Sequence, residues 1–87
     1  MTERNVTVTG TAGLHARPIA LLADRVRDYT GTAELIWGEK RMALKDMIGL
    51  FSLSVPAGAA LTIRVSGPDE ESVAEDIAAI IESAAEQ

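Results

Sequence analysis

Three short segments of this sequence alternate apolar and polar residues with a period of two, and between them lie segments whose apolar residues recur every three or four positions. Such interleaving demands strands that bury one face, covered by helices that bury one stripe. Residues 5 to 9 set Val6 and Val8 against Asn5, Thr7 and Thr9 and lead into Gly10 and a turn through Thr11, Ala12 and Gly13. Residues 32 to 37 place Ala33, Leu35 and Trp37 together, and Gly38-Glu39 offers a short turn into a second short strand, 40 to 43. A hairpin is the economical reading. After a loop at Pro56, Ala57 and Gly58, Leu61, Ile63 and Val65 alternate with Thr62, Arg64 and Ser66.

The helical segments are as distinct. From Ala16, residues Ile19, Leu22, Ala23 and Val26 share a stripe, Pro18 suits a first turn, and Gly31 is a plausible stop. In "LKDMIGLFSLSV", residues 44 to 55, Asp46 can cap a short helix carrying Met47, Ile48, Leu50 and Phe51, with Gly49 a mild flaw in it. The last segment opens at Gly67-Pro68, places Asp69, Glu70 and Glu71 where a helix N-terminus favours negative charge, and carries Val73, Ile77, Ile80, Ile81 and Ala84 as one stripe. The expected fold is α+β, an open-faced β-sandwich of order βαββαβα with a four-stranded antiparallel sheet and three helices on one face. With 87 residues and no linker or internal repeat, residues 1 to 87 form one expected domain.

Composition narrows the function. The chain is 47% hydrophobic and 24% charged, which suits a folded, soluble protein. A net charge of −5 and single Trp, Tyr and Phe residues argue against nucleic acid as a partner. No stretch reaches the roughly 20 apolar residues of a membrane span, and Met1, Thr2, Glu3 and Arg4 do not begin a signal peptide, so membrane insertion is not expected and a cytoplasmic address is. Cysteine is absent.

His15 is the one histidine, so no metal site is expected, since zinc and iron need several ligands from His, Cys and carboxylates. Ser52 or Ser54 could be written into a hydrolytic triad, but no Gly-x-Ser-x-Gly elbow is present. The surroundings of His15 favour an anion. It precedes a helix whose first N–H groups, notably those of Ala16 and Arg17, lack intrahelical partners, and Gly13 allows close backbone approach. The Arg17 guanidinium offers several donors to phosphate, and a neutral imidazole is nucleophilic near pH 7. On local chemistry alone, His15 is either a phosphoryl acceptor or a capping histidine without function.

"GLHARP" at 13 to 18, "LKDMIGLFSLSV" at 44 to 55 and the Gly-Pro-Asp-Glu-Glu opening of the last helix together resemble the HPr phosphocarrier family of the bacterial phosphoenolpyruvate-dependent sugar phosphotransferase system. The resemblance spans essentially the whole chain. It implies that His15 accepts a phosphoryl group at Nδ1 from phosphorylated Enzyme I and donates it to IIA domains of sugar permeases, with Arg17 and the Ala16 and Arg17 N–H groups holding the phosphate. Such a protein is a carrier, not an enzyme turning over a small substrate, needs no cofactor and is expected as a monomer. By the same resemblance the partner surface has an apolar centre of Ala16, Ala20, Met47, Ile48 and Phe51, with Arg17, Arg27 and Lys45 nearby. Met47 and Phe51 should be partly exposed, Leu50 and Leu53 core.

The sequence departs from the family pattern at Asp46, where Gram-positive relatives carry a serine phosphorylated by a regulatory kinase. Aspartate is as good a helix cap as serine, and its charge could also act as a partial mimic of the phosphorylated state. Ser54 reads as a helix-end cap and Trp37 as packing. Two other functions compete: a regulatory paralogue of the carrier, and a binding module using the Met47 to Phe51 surface alone, though such modules usually lack the histidine that this chain has.

Overall fold

A computed structural model describes residues 1 to 8 and 16 to 82, with the backbone alone described at Ala16 and Arg17. The expected strand end at Thr9, the expected turn through Thr11, Ala12 and Gly13, His15 and Ala84 therefore lie outside the described residues. The elements run β1 (Thr2–Thr7), α1 (Ala16–Val26), β2 (Thr32–Trp37), β3 (Lys40–Ala43), α2 (Met47–Leu53), β4 (Ala60–Ser66) and α3 (Glu70–Glu82). The strands form one antiparallel sheet of order β1-β4-β2-β3. This is the open-faced sandwich that the sequence pattern predicts.

Period-two alternation sorts the sheet into a dry face and a wet one. Val6, Leu35, Leu61, Ile63 and Val65 point into the core, where Ile19, Leu22 and Val26 of α1, Leu50 and Leu53 of α2, and Val73, Ala74, Ile77, Ala78 and Ile81 of α3 meet them. Trp37, Met42 and Ile80 pack against its margin half-buried. Among the described residues no charged or polar side chain is buried, so apolar burial carries the core unaided. The opposite face is polar. Arg64 Nε donates to Glu3 Oε2 at 2.8 Å, Arg64 sits opposite Glu34 in the register, and Arg41 Nε lies 3.8 Å from Glu34 Oε2. Opposite charges thus alternate across all four strands, and exposed apolar side chains fall mainly on the helical side.

Two boundaries differ from the sequence expectation. β1 begins at Thr2, not near Asn5, because its first half is held by polar contacts without apolar periodicity: the Met1 ammonium lies 2.7 Å from Glu70 Oε2, and the Thr2 hydroxyl donates to the same oxygen at 2.7 Å. Val8 continues the pairing beyond the strand, donating to the Ala59 carbonyl at 2.9 Å and accepting from Gly58 N–H at 2.8 Å.

α1 stops at Val26, five residues before Gly31. Its end is tied down by neighbours: Tyr29 N–H donates to the Val26 carbonyl at 3.0 Å, and the Tyr29 hydroxyl donates to the Pro68 carbonyl at 2.7 Å. Gly31 serves a different need. A Cβ there would stand 2.2 Å from the Ser66 carbonyl oxygen and 2.9 Å from the Gly67 Cα, so the lead into β2 passes the β4–α3 junction too closely for any side chain. α3 packs on β1 and β4, and α1 packs on both α2 and α3.

Candidate functional site

α1 begins at Ala16, so His15 immediately precedes it in the chain. Pro18 falls in the first turn and is buried, where its missing N–H costs nothing and its ring pre-sets the helical φ. No acidic residue occupies that turn, whereas α3 opens on Glu70 and Glu71. α3 therefore carries its own compensation for the positive end of the helix dipole, while the first turn of α1 supplies no anion. His15 and the side chains of Ala16 and Arg17 lie outside the described residues.

α2 is set by its cap. Gly49 N–H donates to Asp46 Oδ1 at 2.9 Å, and Leu50 N–H donates to the Asp46 carbonyl at 3.0 Å, which closes the first turn. Gly49 is more than a flaw in the helix. A Cβ there would meet Met42 Sδ at 2.4 Å and Asp46 Oδ2 at 2.7 Å, so its bare backbone is what lets the Met42 thioether of β3 lie under α2. The far end closes at Ser54, which takes the left-handed conformation at φ 52° and donates its backbone N–H to the Phe51 carbonyl. Ser54 is thus a helix-end residue, and its backbone makes the cap.

With α2 so oriented, Leu50 and Leu53 point inward while Met47, Phe51 and Ile48 face outward, with Ile48 80% exposed. That division is the one expected from the sequence. Between α1 and α2 runs a shallow groove lined by Ala20, Ala23, Asp24, Arg27, Lys45 and Met47. Four of the residues predicted for the partner surface, Ala20, Arg27, Lys45 and Met47, thus share one groove, flanked by Ile48 and Phe51 on α2. Leu21 is a further exposed apolar residue on α1 that the sequence reading did not single out, though its place outside the Ile19, Leu22, Val26 stripe was a signal.

Both groove cations are already engaged. Arg27 Nη1 lies 2.9 Å from Asp24 Oδ1 and its Nε 4.0 Å from Asp28 Oδ2, while Lys45 Nζ donates to the Tyr29 carbonyl at 3.0 Å and so ties the α2 lead to the segment after α1. Trp37 is half-buried against the core with Lys40 Nζ 5.4 Å from its ring centroid, which agrees with its reading as packing.

Comparison with known proteins draws these features together. The family model described as the PTS HPr component phosphorylation site matches residues 2 to 83. The HPr-like protein Crh of Halalkalibacterium halodurans is 33% identical over 82 residues, covering 94% of this chain and 98% of that protein. Among solved structures, HPr of Thermoanaerobacter tengcongensis superposes with a TM-score of 0.89 at 28% identity, covering 100% of this chain and 98% of the other. Crh of Bacillus subtilis, solved as a swapped-domain dimer, superposes with a TM-score of 0.71 at 33% identity over 93% of both chains. Fold, element order and family match agree, and this chain belongs to the HPr family of the phosphotransferase system.

Proposed function

We propose that this chain is a single-domain phosphoryl carrier of the cytoplasm, loaded on His15 by phosphorylated Enzyme I and unloaded by IIA domains of sugar permeases. The observation that carries the reading is the family's phosphorylation-site match over a chain whose one histidine stands directly before the first turn of α1, a turn with no acidic residue of its own. In the loading step the lone pair of His15 Nδ1 forms a bond to phosphorus as the bond from phosphorus to its donor breaks, and the donor leaves with that electron pair. The Arg17 guanidinium and the N–H groups of Ala16 and Arg17 stabilise the phosphoryl oxygens. Unloading runs the same exchange towards the acceptor. Partners dock on Ala16, Ala20, Met47, Ile48 and Phe51, with Arg27 and Lys45 at the rim, and the carrier works as a monomer.

A second reading, a regulatory paralogue, is favoured by the similarity to Crh. Incubation with phosphoenolpyruvate, Enzyme I and a IIA domain separates the two. A carrier takes acid-labile label on His15 and hands it to IIA within the assay; label that loads but never reaches any IIA domain assigns the chain to regulation, and no label on His15 overturns phosphoryl transfer altogether.

A further inference from the structure

Val8 is the last described residue before the segment that carries His15, and both of its main-chain polar groups are engaged by the connection between α2 and β4. Its N–H donates to the Ala59 carbonyl at 2.9 Å, and its carbonyl accepts from the Gly58 N–H at 2.8 Å, next to the strand pair Thr7 and Ala60. The Val8 side chain is buried, so main chain and side chain are fixed together. The connection is firm on both sides of Gly58, since Val55 is buried and Ala59 packs against the core.

Turn geometry explains why position 58 is a glycine. Ala59 N–H donates to the Pro56 carbonyl at 3.3 Å, which makes Pro56 to Ala59 a β-turn with Gly58 as its third residue. Gly58 has a φ of 86°, close to the value that a type II turn needs at that position. A Cβ on Gly58 would meet nothing within 4 Å, so the glycine answers to backbone conformation and not to crowding. A residue that avoids positive φ favours the type I turn over the same four positions, and the two types differ by a flip of the central peptide. That peptide carries the Gly58 N–H. Its flip turns the donor away from the Val8 carbonyl.

We infer that Gly58 is a positioning residue for phosphoryl transfer at His15: it keeps the turn whose N–H fixes Val8, the residue from which the His15-bearing segment departs. The inference deepens the carrier reading and rests on it. Residues 9 to 15 connect this fixed carbonyl to the first turn of α1, so a displaced starting point is passed to a short connection whose other end is a helix. Displacing a reacting group by about 1 Å can cost about 100-fold in rate.

The test compares the full chain with Gly58→Ala, Gly58→Asn and Gly38→Ala as substrates of Enzyme I supplied with phosphoenolpyruvate. Gly38 has a φ of 62° and the same open space, but it lies in the β2–β3 turn, so Gly38→Ala imposes comparable backbone strain without touching Val8. Asparagine accepts positive φ and is the usual alternative to glycine at this turn position. Ser54 and Asp69 already sit at φ 52° and 50°, so the fold bears residues with side chains in this region, and unfolding midpoints above the assay temperature confirm that each variant is folded. Gly58→Ala should lower kcat for labelling of His15 at least about fivefold, with KM within about twofold of the parent because the docking residues are untouched. It should also move the NMR signals of the His15 ring protons in the unphosphorylated chain. Gly58→Asn should restore kcat to within about twofold, and Gly38→Ala should keep it there with the ring signals in place. Parental kcat or unmoved ring signals in Gly58→Ala overturn the inference, as do Gly58→Asn or Gly38→Ala chains as slow as Gly58→Ala. So does a Gly58→Ala chain that fails to fold, whose turn would then hold the fold and not the site. A parent that takes no label sinks the carrier reading, whereas a labelled parent with an unaltered Gly58→Ala sinks the inference alone.

Discussion

The Asp46 carboxylate accepts the backbone N–H of Gly49 at 2.9 Å and so caps the start of α2. Asp46→Ala removes the acceptor and should cost about 1 kcal/mol in chemical denaturation, whereas Asp46→Ser keeps an oxygen in reach and should stay within about 0.5 kcal/mol of the parent. The same pair of variants tests the charge. If the carboxylate slows loading of His15, Asp46→Ser is phosphorylated faster than the parent by Enzyme I; an equal rate leaves Asp46 a cap alone.

Leu50 and Ile48 stand two residues apart on α2 with opposite fates. Leu50 is 1% exposed, so Leu50→Ala should lower stability by about 2–5 kcal/mol. Ile48→Ala, on the wet side, should shift stability by no more than about 0.5 kcal/mol. Its effect belongs to docking: the KM for Enzyme I rises while kcat at saturation holds. A matched loss of stability in both variants would place Ile48 in the core.

Gly31 admits no side chain. Because a Cβ there collides with backbone atoms at Ser66 and Gly67, Gly31→Ala should destabilise by about 1–3 kcal/mol, the scale of overpacking, in spite of the entropy that alanine removes from the unfolded chain. A thermal melt unchanged or raised by the substitution would show that the junction has room to give.

Glu70 makes stability depend on acid. The Met1 ammonium foremost, then the Thr2 hydroxyl and Gly67 N–H, hold its carboxyl at about 2, below its usual 4.5. A depressed carboxyl contributes stability that is complete above the unfolded value and is lost as pH falls through the folded one. The melting-point advantage of the parent over Glu70→Gln should therefore be steady from neutral pH down to 4.5 and shrink between pH 4.5 and about 2. An advantage that persists unchanged at the acid end would contradict this role.

Alternation and turn chemistry made β2, β3 and their two-residue connection legible from Thr32 to Ala43, because each strand buries one face and little else acts on it. The inward and outward faces of α2 were legible for the same reason. The start of β1 was not, since Thr2 and Glu70 are 68 positions apart and their bond leaves no periodic trace. Nor was the end of α1, which is set by Tyr29 reaching Pro68 across the fold and not by Gly31. At the site, the family resemblance points to Ala20, Arg27, Lys45 and Met47, but not to the pairing of Arg27, just past the end of α1, with Asp24 three positions earlier. His15 itself was legible as a motif.

The most direct test is the covalent state of His15. After incubation with phosphoenolpyruvate and a catalytic amount of Enzyme I, phosphorus NMR of the intact protein should show one acid-labile phosphoramidate on Nδ1 of His15, absent from His15→Ala and slow to form in Arg17→Ala. A parent that takes no phosphate, or a His15→Ala chain labelled as well as the parent, would contradict the account.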